Sequence, residues 1–224
     1  MCTRFFRRAI DWSDYQTEIA VIPPANVDPP EPTYNAAPMS YQPVLRWTRE
    51  RTHIELAPCL WGLVPNWWTR PIEDRQFTGF TADAATAHER PVYRGAFRYW
   101  RCLIPVSGYY LWTGKPGAKS AFAVGLQDRD WFCLAGLWDT ALIDGSVLES
   151  FTVLTTQPND TVAGLAHTMP VIVDPQNYHR WLDPRSGDVT DLFEPFPSLD
   201  THAWPVGPDV GNVRNNHEGL IEEA

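Results

Sequence analysis

Ala121-Phe122-Ala123-Val124-Gly125-Leu126 and Trp131-Phe132-Cys133-Leu134-Ala135-Gly136-Leu137-Trp138 are two apolar runs parted by Gln127-Asp128-Arg129-Asp130. Both are short, rich in aliphatic and aromatic side chains, and bounded by turn-forming residues, so they read as strands. The same signature recurs outward, at Pro43 to Arg49, Ile54 to Leu63, Arg98 to Ile104 and Gly108 to Thr113 upstream, and at Phe151 to Thr156 downstream. Helix signals are few. Ser13-Asp14-Tyr15-Gln16 has capping-box spacing and predicts a short helix to about Ala20. Asn159-Asp160 caps a helix through Leu165, and Asp174-Pro175 is an N-cap and N1 pair for a helix ending near Leu182. The proline-rich segment from Pro23 to Pro38 is expected to be an irregular or extended loop wrapping the core. The pattern is α+β: a mostly antiparallel β core with a few peripheral short helices.

Composition narrows the function. The 224 residues, 44% hydrophobic and 20% charged, suit one compact domain with a sizeable core, expected to span residues 1–224. No apolar run approaches the ~18 residues of a membrane span. No basic segment followed by an apolar stretch opens the chain, so no signal peptide is expected. The cysteines Cys2, Cys59, Cys102 and Cys133 lie far apart without zinc spacing, which points to a reduced, cytoplasmic protein, nucleoid-associated if bacterial. The last three sit in apolar stretches and are expected to be buried thiols. The net charge of −9 argues against nonspecific polyanion binding, yet Arg4, Arg7 and Arg8 cluster beside Cys2 and suit one local anion-binding face. No metal, nucleotide or flavin motif is present, so no cofactor is expected.

Cys2 follows Met1 directly, and a small second residue allows the initiator to be removed. The exposed cysteine would then carry an α-amine with a pKa of about 8 and a thiol of about 8.5, two nucleophiles on one residue. Their natural partner is an aldehyde: the amine condenses to an imine and the thiolate closes a thiazolidine ring. Alone, a cysteine at position two reads more readily as an accident of the reading frame than as a functional residue. Trp67-Trp68 adds a second hint. Adjacent residues cannot both face one core, so at least one indole should be exposed, either as a base-stacking platform or pinned in a folded loop.

Met1-Cys2-Thr3-Arg4-Phe5, Tyr34-Asn35-Ala36-Ala37-Pro38, Trp61-Gly62-Leu63-Val64-Pro65-Asn66-Trp67 and Val210-Gly211-Asn212-Val213-Arg214-Asn215-Asn216 occur in that order over nearly the whole chain. Together they resemble the SOS-response-associated peptidase (SRAP) family, whose members shield abasic sites in single-stranded DNA. The resemblance implies a barrel-like β core and a basic, aromatic-lined groove for the strand. It implies that Cys2 crosslinks to the ring-opened sugar as part of a DNA damage response. Arg4, Asn35, Trp67, Trp68, Trp112 and Thr156 stand where the family contacts DNA or shapes its pocket. The implied partner is single-stranded DNA containing abasic sites, bound by a monomer without metal.

Other motifs depart from the family. Its Asn-Ala-Arg-x-Glu-Thr reads Thr78-Gly79-Phe80-Thr81-Ala82-Asp83 here; Thr78 retains a hydroxyl for a sugar oxygen, but Phe80 cannot hold a phosphate. Its Gly-Tyr-Tyr-Glu-Trp reads Gly108-Tyr109-Tyr110-Leu111-Trp112, and leucine has no proton to give, a loss of about 10²–10⁴ in rate. Its Ile-His-x-Arg-Met-Pro reads Ala166-His167-Thr168-Met169-Pro170, so either His167 still faces Cys2 as a catalytic group, the reading favoured here, or Ala166 occupies its place. Three functions follow: a crosslinking abasic-site sensor; a catalytically impaired descendant that binds single-stranded DNA or a protein; and an N-terminal-nucleophile cysteine peptidase using its α-amine as base.

Overall fold

The computed structural model describes residues 3–75, 77–115 and 117–224. In chain order the strands and helices are β1 (Phe5–Arg7), α1 (Trp12–Ile19), β2 (Thr33–Ala36), β3 (Tyr41–Trp47), β4 (Ile54–Trp61), β5 (Thr81–Asp83), α2 (Ala84–Ala87), α3 (Arg94–Tyr99), β6 (Arg101–Val106), β7 (Gly108–Lys115), β8 (Ala118–Leu126), β9 (Phe132–Ile143), β10 (Ser146–Thr156), α4 (Asp160–Ala163), β11 (Met169–Pro170), β12 (Ile172–Val173), α5 (Tyr178–Leu182) and β13 (Thr201–Val206). Every strand and helix predicted from sequence is present, with adjusted ends. α1 starts earlier because Asp11, not Ser13, is its N-cap, with Asp14 returning a bond to the Asp11 N–H. Arg98 and Tyr99 close α3 instead of opening β6. The proline-rich segment is not wholly irregular, since Thr33–Ala36 pairs with β1.

Strands β4, β3, β6, β9 and β10 form a closed ring: each pairs with the next, and β10 returns to β4. All of these pairs are antiparallel except the last. The two longest strands make a hairpin through Asp144-Gly145, whose φ values of 49° and 78° suit the right-handed twist of the pair. A second, antiparallel sheet in the order β13-β8-β7-β1-β2 packs beside the ring.

Alternation along each ring strand divides its side chains between two cores. Val44, Cys102, Ile104, Leu134 and Phe151 join Phe5, Tyr109, Leu111 and Val124 of the second sheet. Leu45, Leu103, Cys133, Leu137 and Leu154 point the other way, beneath Tyr15 and Ile19 of α1, Ala84 and Ala87 of α2, and Tyr178 and Trp181 of α5. Both faces of the ring are therefore covered, which explains why β9 reads as a continuous apolar run over its first seven residues. Among the enclosed charges, Arg46, 5% exposed, bonds Glu55 at 2.9 Å and Glu149 at 2.7 Å while its guanidinium lies 3.8 Å from the centre of a Trp138 ring. No helix among the described residues is long and apolar enough to cross a membrane.

Gly136 faces the crowded side of β9. A Cβ there would sit 2.9 Å from Thr152 O and closer still to Ile104 Cδ1. Gly136→Ala is expected to destabilise the fold by about 1–3 kcal/mol through overpacking. Gly95 in α3 has open space around it, so Gly95→Ala should be neutral or stabilising by up to about 1 kcal/mol. Urea unfolding midpoints of the two variants decide this, and equal shifts would contradict it.

Candidate nucleic-acid interface

Cys2 lies outside the described residues, so the site is built from what surrounds the chain immediately after it. Phe5 sits between Ala36 of β2 and Tyr109 of β7 and stacks 4.8 Å from Trp61. Before it, the Arg4 carbonyl accepts from Tyr110 N at 3.0 Å. Arg4 Nη1 donates to Asn35 Oδ1 at 2.6 Å and to Val210 O at 3.1 Å, and its guanidinium lies 5.7 Å from the Trp112 ring. Burial lowers the pKa of this arginine, opposed by Tyr110, and the group stays charged.

Asn35 is buried and fully engaged. Its Nδ2 shares two hydrogens among the carbonyls of Val210, Asn212 and Asn215 at 3.0–3.2 Å. Tyr34 N donates to Asn216 Oδ1 at 2.7 Å, and Tyr110 Oη donates to Tyr34 O at 2.8 Å. Asn35 thus fastens the closing segment Val210 to Asn216 across β2, beside Arg4. That segment leaves the Arg214 side chain exposed, an outward cation that motif matching did not single out.

The expected cluster of Arg4, Arg7 and Arg8 does not form. Arg7 is buried at 2% exposure, with Nη2 donating to Glu31 O, and Arg8 faces Asp130 at 3.8 Å. The replacement cation is Arg75. Trp61 Nε1 donates to Phe80 O at 2.9 Å, and Leu63 N donates to Gly79 O at 3.0 Å. These bonds draw residues 78–80 against the end of β4. Gly79 is required there: its φ is 64°, and a side chain would strike Leu63 O. Beyond it opens a groove of about 720 Å³ lined by Met39, Ile72, Glu73, Arg75, Phe77, Thr78 and Phe80. Arg75 donates to Gly62 O at 3.0 Å and to the Met39 sulfur at 2.9 Å, and sits 5.8 Å from the Phe80 ring. Burial lowers its pKa, and among the described residues it forms no ion pair. A cation therefore stands against the phenylalanine that replaced the motif arginine.

The predicted contact residues divide among several places. Thr78 is exposed in the groove. Thr156, at the end of β10, lines a separate cavity of about 670 Å³ with Asp83, Thr168 and Phe193. The two depressions lie at opposite ends of β5, which pairs Thr81 with Val153 and Asp83 with Thr155. Trp67 is 54% exposed, whereas Trp68 is 6% exposed and packs on Phe77, Ala141 and Ile143, so only one of the two indoles offers a free face. Leu111 is 1% exposed in the core that holds Phe5 and Trp61. Ala166 packs against that same core, while His167 is exposed and makes no hydrogen bond or ion pair among the described residues. The inward place in this loop thus belongs to Ala166. No cluster of His, Cys, Asp and Glu able to hold a metal occurs among the described residues.

The profile of the SOS response associated peptidase (SRAP) family matches residues 1–213. The abasic site processing protein YoqW of Bacillus subtilis is 31% identical over 198 residues, covering 85% of this chain and 86% of that protein. HMCES of Xenopus tropicalis, also named an abasic site processing protein, is 28% identical over 217 residues, covering 83% of this chain and 64% of its own length. A solved structure from Bacteroides thetaiotaomicron superposes with a TM-score of 0.77 at 22% identity, covering 97% of this chain and 92% of that one, a likeness of fold. The chain belongs to the SRAP family.

Two measurements follow. Asn35→Ala should cost about 1–3 kcal/mol and release the closing segment, since it leaves buried carbonyls without donors. Faster amide exchange confined to peptides covering residues 208–216 is the expected result; unchanged exchange would refute the clamp. Burial pushes the Cys59 thiol up to about 12, against the pull of Arg46, and raises Cys102 and Cys133 as well. At pH 8 the native protein should therefore take up at most one equivalent of a thiol reagent rapidly, and four after unfolding.

Proposed function

We propose that this protein recognises abasic sites in single-stranded DNA and, once Met1 is removed, couples to them through Cys2, with residues 1–224 acting as one domain. The names of its relatives supply the substrate class, and the anchoring of the chain just after Cys2 is the observation that carries the reading to these residues. Arg4 and Phe5 are fixed by Asn35, Val210, Tyr110 and Trp61, and Trp61 in turn bonds the Phe80 carbonyl of the groove in which Arg75 forms no ion pair among the described residues.

The chemistry balances without an external reagent. The α-amine of Cys2 attacks the ring-opened C1′ aldehyde and water leaves, giving an imine. The thiolate adds to the imine carbon, the nitrogen takes up the proton, and a thiazolidine closes with net loss of one water. Arg75 binds a phosphate next to the reacting sugar and Thr78 offers it a hydroxyl. Arg214 and the Trp67 face add charge and stacking at the rim. Rate acceleration comes from holding amine and aldehyde together, because Leu111 cannot move a proton.

One observation favours a second reading. Leu111 and Ala166 both close the wall on the core side, which suits a protein that binds the strand without crosslinking it.

Incubation of the processed protein with a single-stranded oligonucleotide carrying one abasic site should yield a covalent band on a denaturing gel, absent with Cys2→Ala. Intact mass should show the chain without Met1. No band from protein lacking Met1, with binding to the oligonucleotide retained, would support the second reading; a band that survives Cys2→Ala would defeat the first. Arg75→Ala should weaken binding and reduce the salt slope of log K by about 0.7, the contribution of one single-strand phosphate.

A further inference from the structure

Phe77 lines the groove. That ring lies 5.6 Å from Trp68, and Trp68 lies 6.2 Å from the exposed Trp67. Trp67 lines a depression of about 310 Å³ whose far wall is Arg94 and Gly95 at the start of α3. The same two residues border the next cavity, about 510 Å³, which also holds Arg98 and Tyr99. One surface therefore runs from Trp67 along α3, with Arg94 and Gly95 common to both depressions.

Its charge is unlike that of the rest of the chain. Residues 88–101 contain four arginines and one carboxylate, Glu89, in a protein with net charge −9. Glu89 faces His88 at 3.4 Å. Arg101 is spent inside, donating to Phe97 O and Trp181 O. Arg94 and Arg98 are one helical turn apart, exposed, and form no ion pair among the described residues. Tyr99 is 48% exposed with Arg98 5.2 Å from its ring centre. The acid beneath this surface, Asp139, is 5% exposed and accepts from Asn66 N and Thr140 N. Burial raises its pKa, opposed by the two backbone N–H groups and by Arg49.

We propose that the α3 face carries the single strand beyond the reacting nucleotide, with phosphates against Arg94 and Arg98 and bases stacked on Trp67 and Tyr99. Exposed aromatic rings alternating with unpaired arginines are what a sequence-tolerant single-strand track requires: every base has a π-face, and every step a phosphate. The proposal rests on the DNA-binding reading above and adds a second contact region to it.

The test compares wild type with the double variant Arg94→Ala/Arg98→Ala on two labelled oligonucleotides, of about 5 and about 16 nucleotides, the span of single-strand site sizes. Each carries one abasic site, and an undamaged copy of the longer one reports equilibrium binding by anisotropy. The variant should lose about tenfold in affinity for the longer strand at 0.1 M salt, with a salt slope smaller by about 1.4, two phosphates' worth. Crosslinking to the short strand should be unchanged. A variant with wild-type melting, affinity and slope on the long strand overturns the track and leaves the abasic-site reading standing. Wild-type protein that neither binds nor crosslinks either strand overturns that reading and the track with it. Arg94→Gln/Arg98→Gln repeats the experiment with side-chain bulk preserved.

Discussion

The site hangs from one seam, the pair of ladder partners Ser150↔Leu60 and Phe151↔Trp61 that closes the strand ring. Among the described residues no other ladder pair joins β10 to β4, and just past the seam the chain turns outward, with Gly62 N bonded to Phe151 O and Val64 N to Ser150 Oγ. That turn aims Trp61 at Phe5 on one side and at the Phe80 carbonyl on the other. Opening the seam would release the strand following Cys2, the groove floor and the loop bearing Trp67 together. The closing pair is parallel and two residues long, so it depends on packing: Trp61 and Phe151 stack at 6.0 Å and both are fully buried. Their burial, at about 1.5–3 kcal/mol per large side chain, outweighs what two ladder pairs contribute.

Around that seam the substitutions act in one direction. Leu111, Ala166 and Ala82 are all buried or partly buried among apolar neighbours, so the core reaches further toward the site than acids and imidazoles would allow. A glutamate at Leu111 would lie at 1% exposure, where its carboxylate would need strong hydrogen-bond partners. Charge returns from different positions. Arg75 is held by a backbone carbonyl and a thioether, which fix its place without neutralising it. A carboxylate partner would have made it a structural ion pair; its absence among the described residues keeps the guanidinium available to an anion.

Much of the fold was legible because buried strands leave dense local signals. The runs at Ala121 to Leu126 and Trp131 to Trp138 are strands, and the fold class follows from them. Asp144-Gly145 was also readable as a two-residue hairpin and would have extended both flanking strands to their true ends. Strands β1, β5, β11 and β12 were not, because two or three residues carry no period and exist only through their partners. The site was less legible for a related reason. Motif spacing finds Asn35 and Arg4 but not that Asn35 uses its whole amide on the closing segment. Trp67 and Trp68 are indistinguishable as letters, yet one lies in a small core and the other at a rim. Arg75 and Arg94 belong to no motif; their importance lies in forming no ion pair among the described residues, which sequence does not record.

The remaining issue is whether a cysteine deprived of its acid–base partners has enough left to react. Removing a general acid costs about 10²–10⁴ in rate. Holding two reactants in contact supplies effective molarities of about 10⁵–10⁸ M when the alignment is good. Relative to free reactants at about 1 M, the second is a factor of about 10⁵–10⁸ and outweighs the first, and the reaction concerned proceeds slowly in water unaided. For such a reaction the economical investment is in grip: a fixed N-terminal strand, cations without partners and aromatic faces. The described residues around β1, the groove and α3 have that character, and the proton-transfer positions do not. On these magnitudes, the coupling proposed for Cys2 would be slowed but not abolished by the absence of a glutamate at Leu111 and of a histidine at Ala166, given a strand that dwells long enough, and dwell time is what Arg75, Arg94 and Arg98 would control.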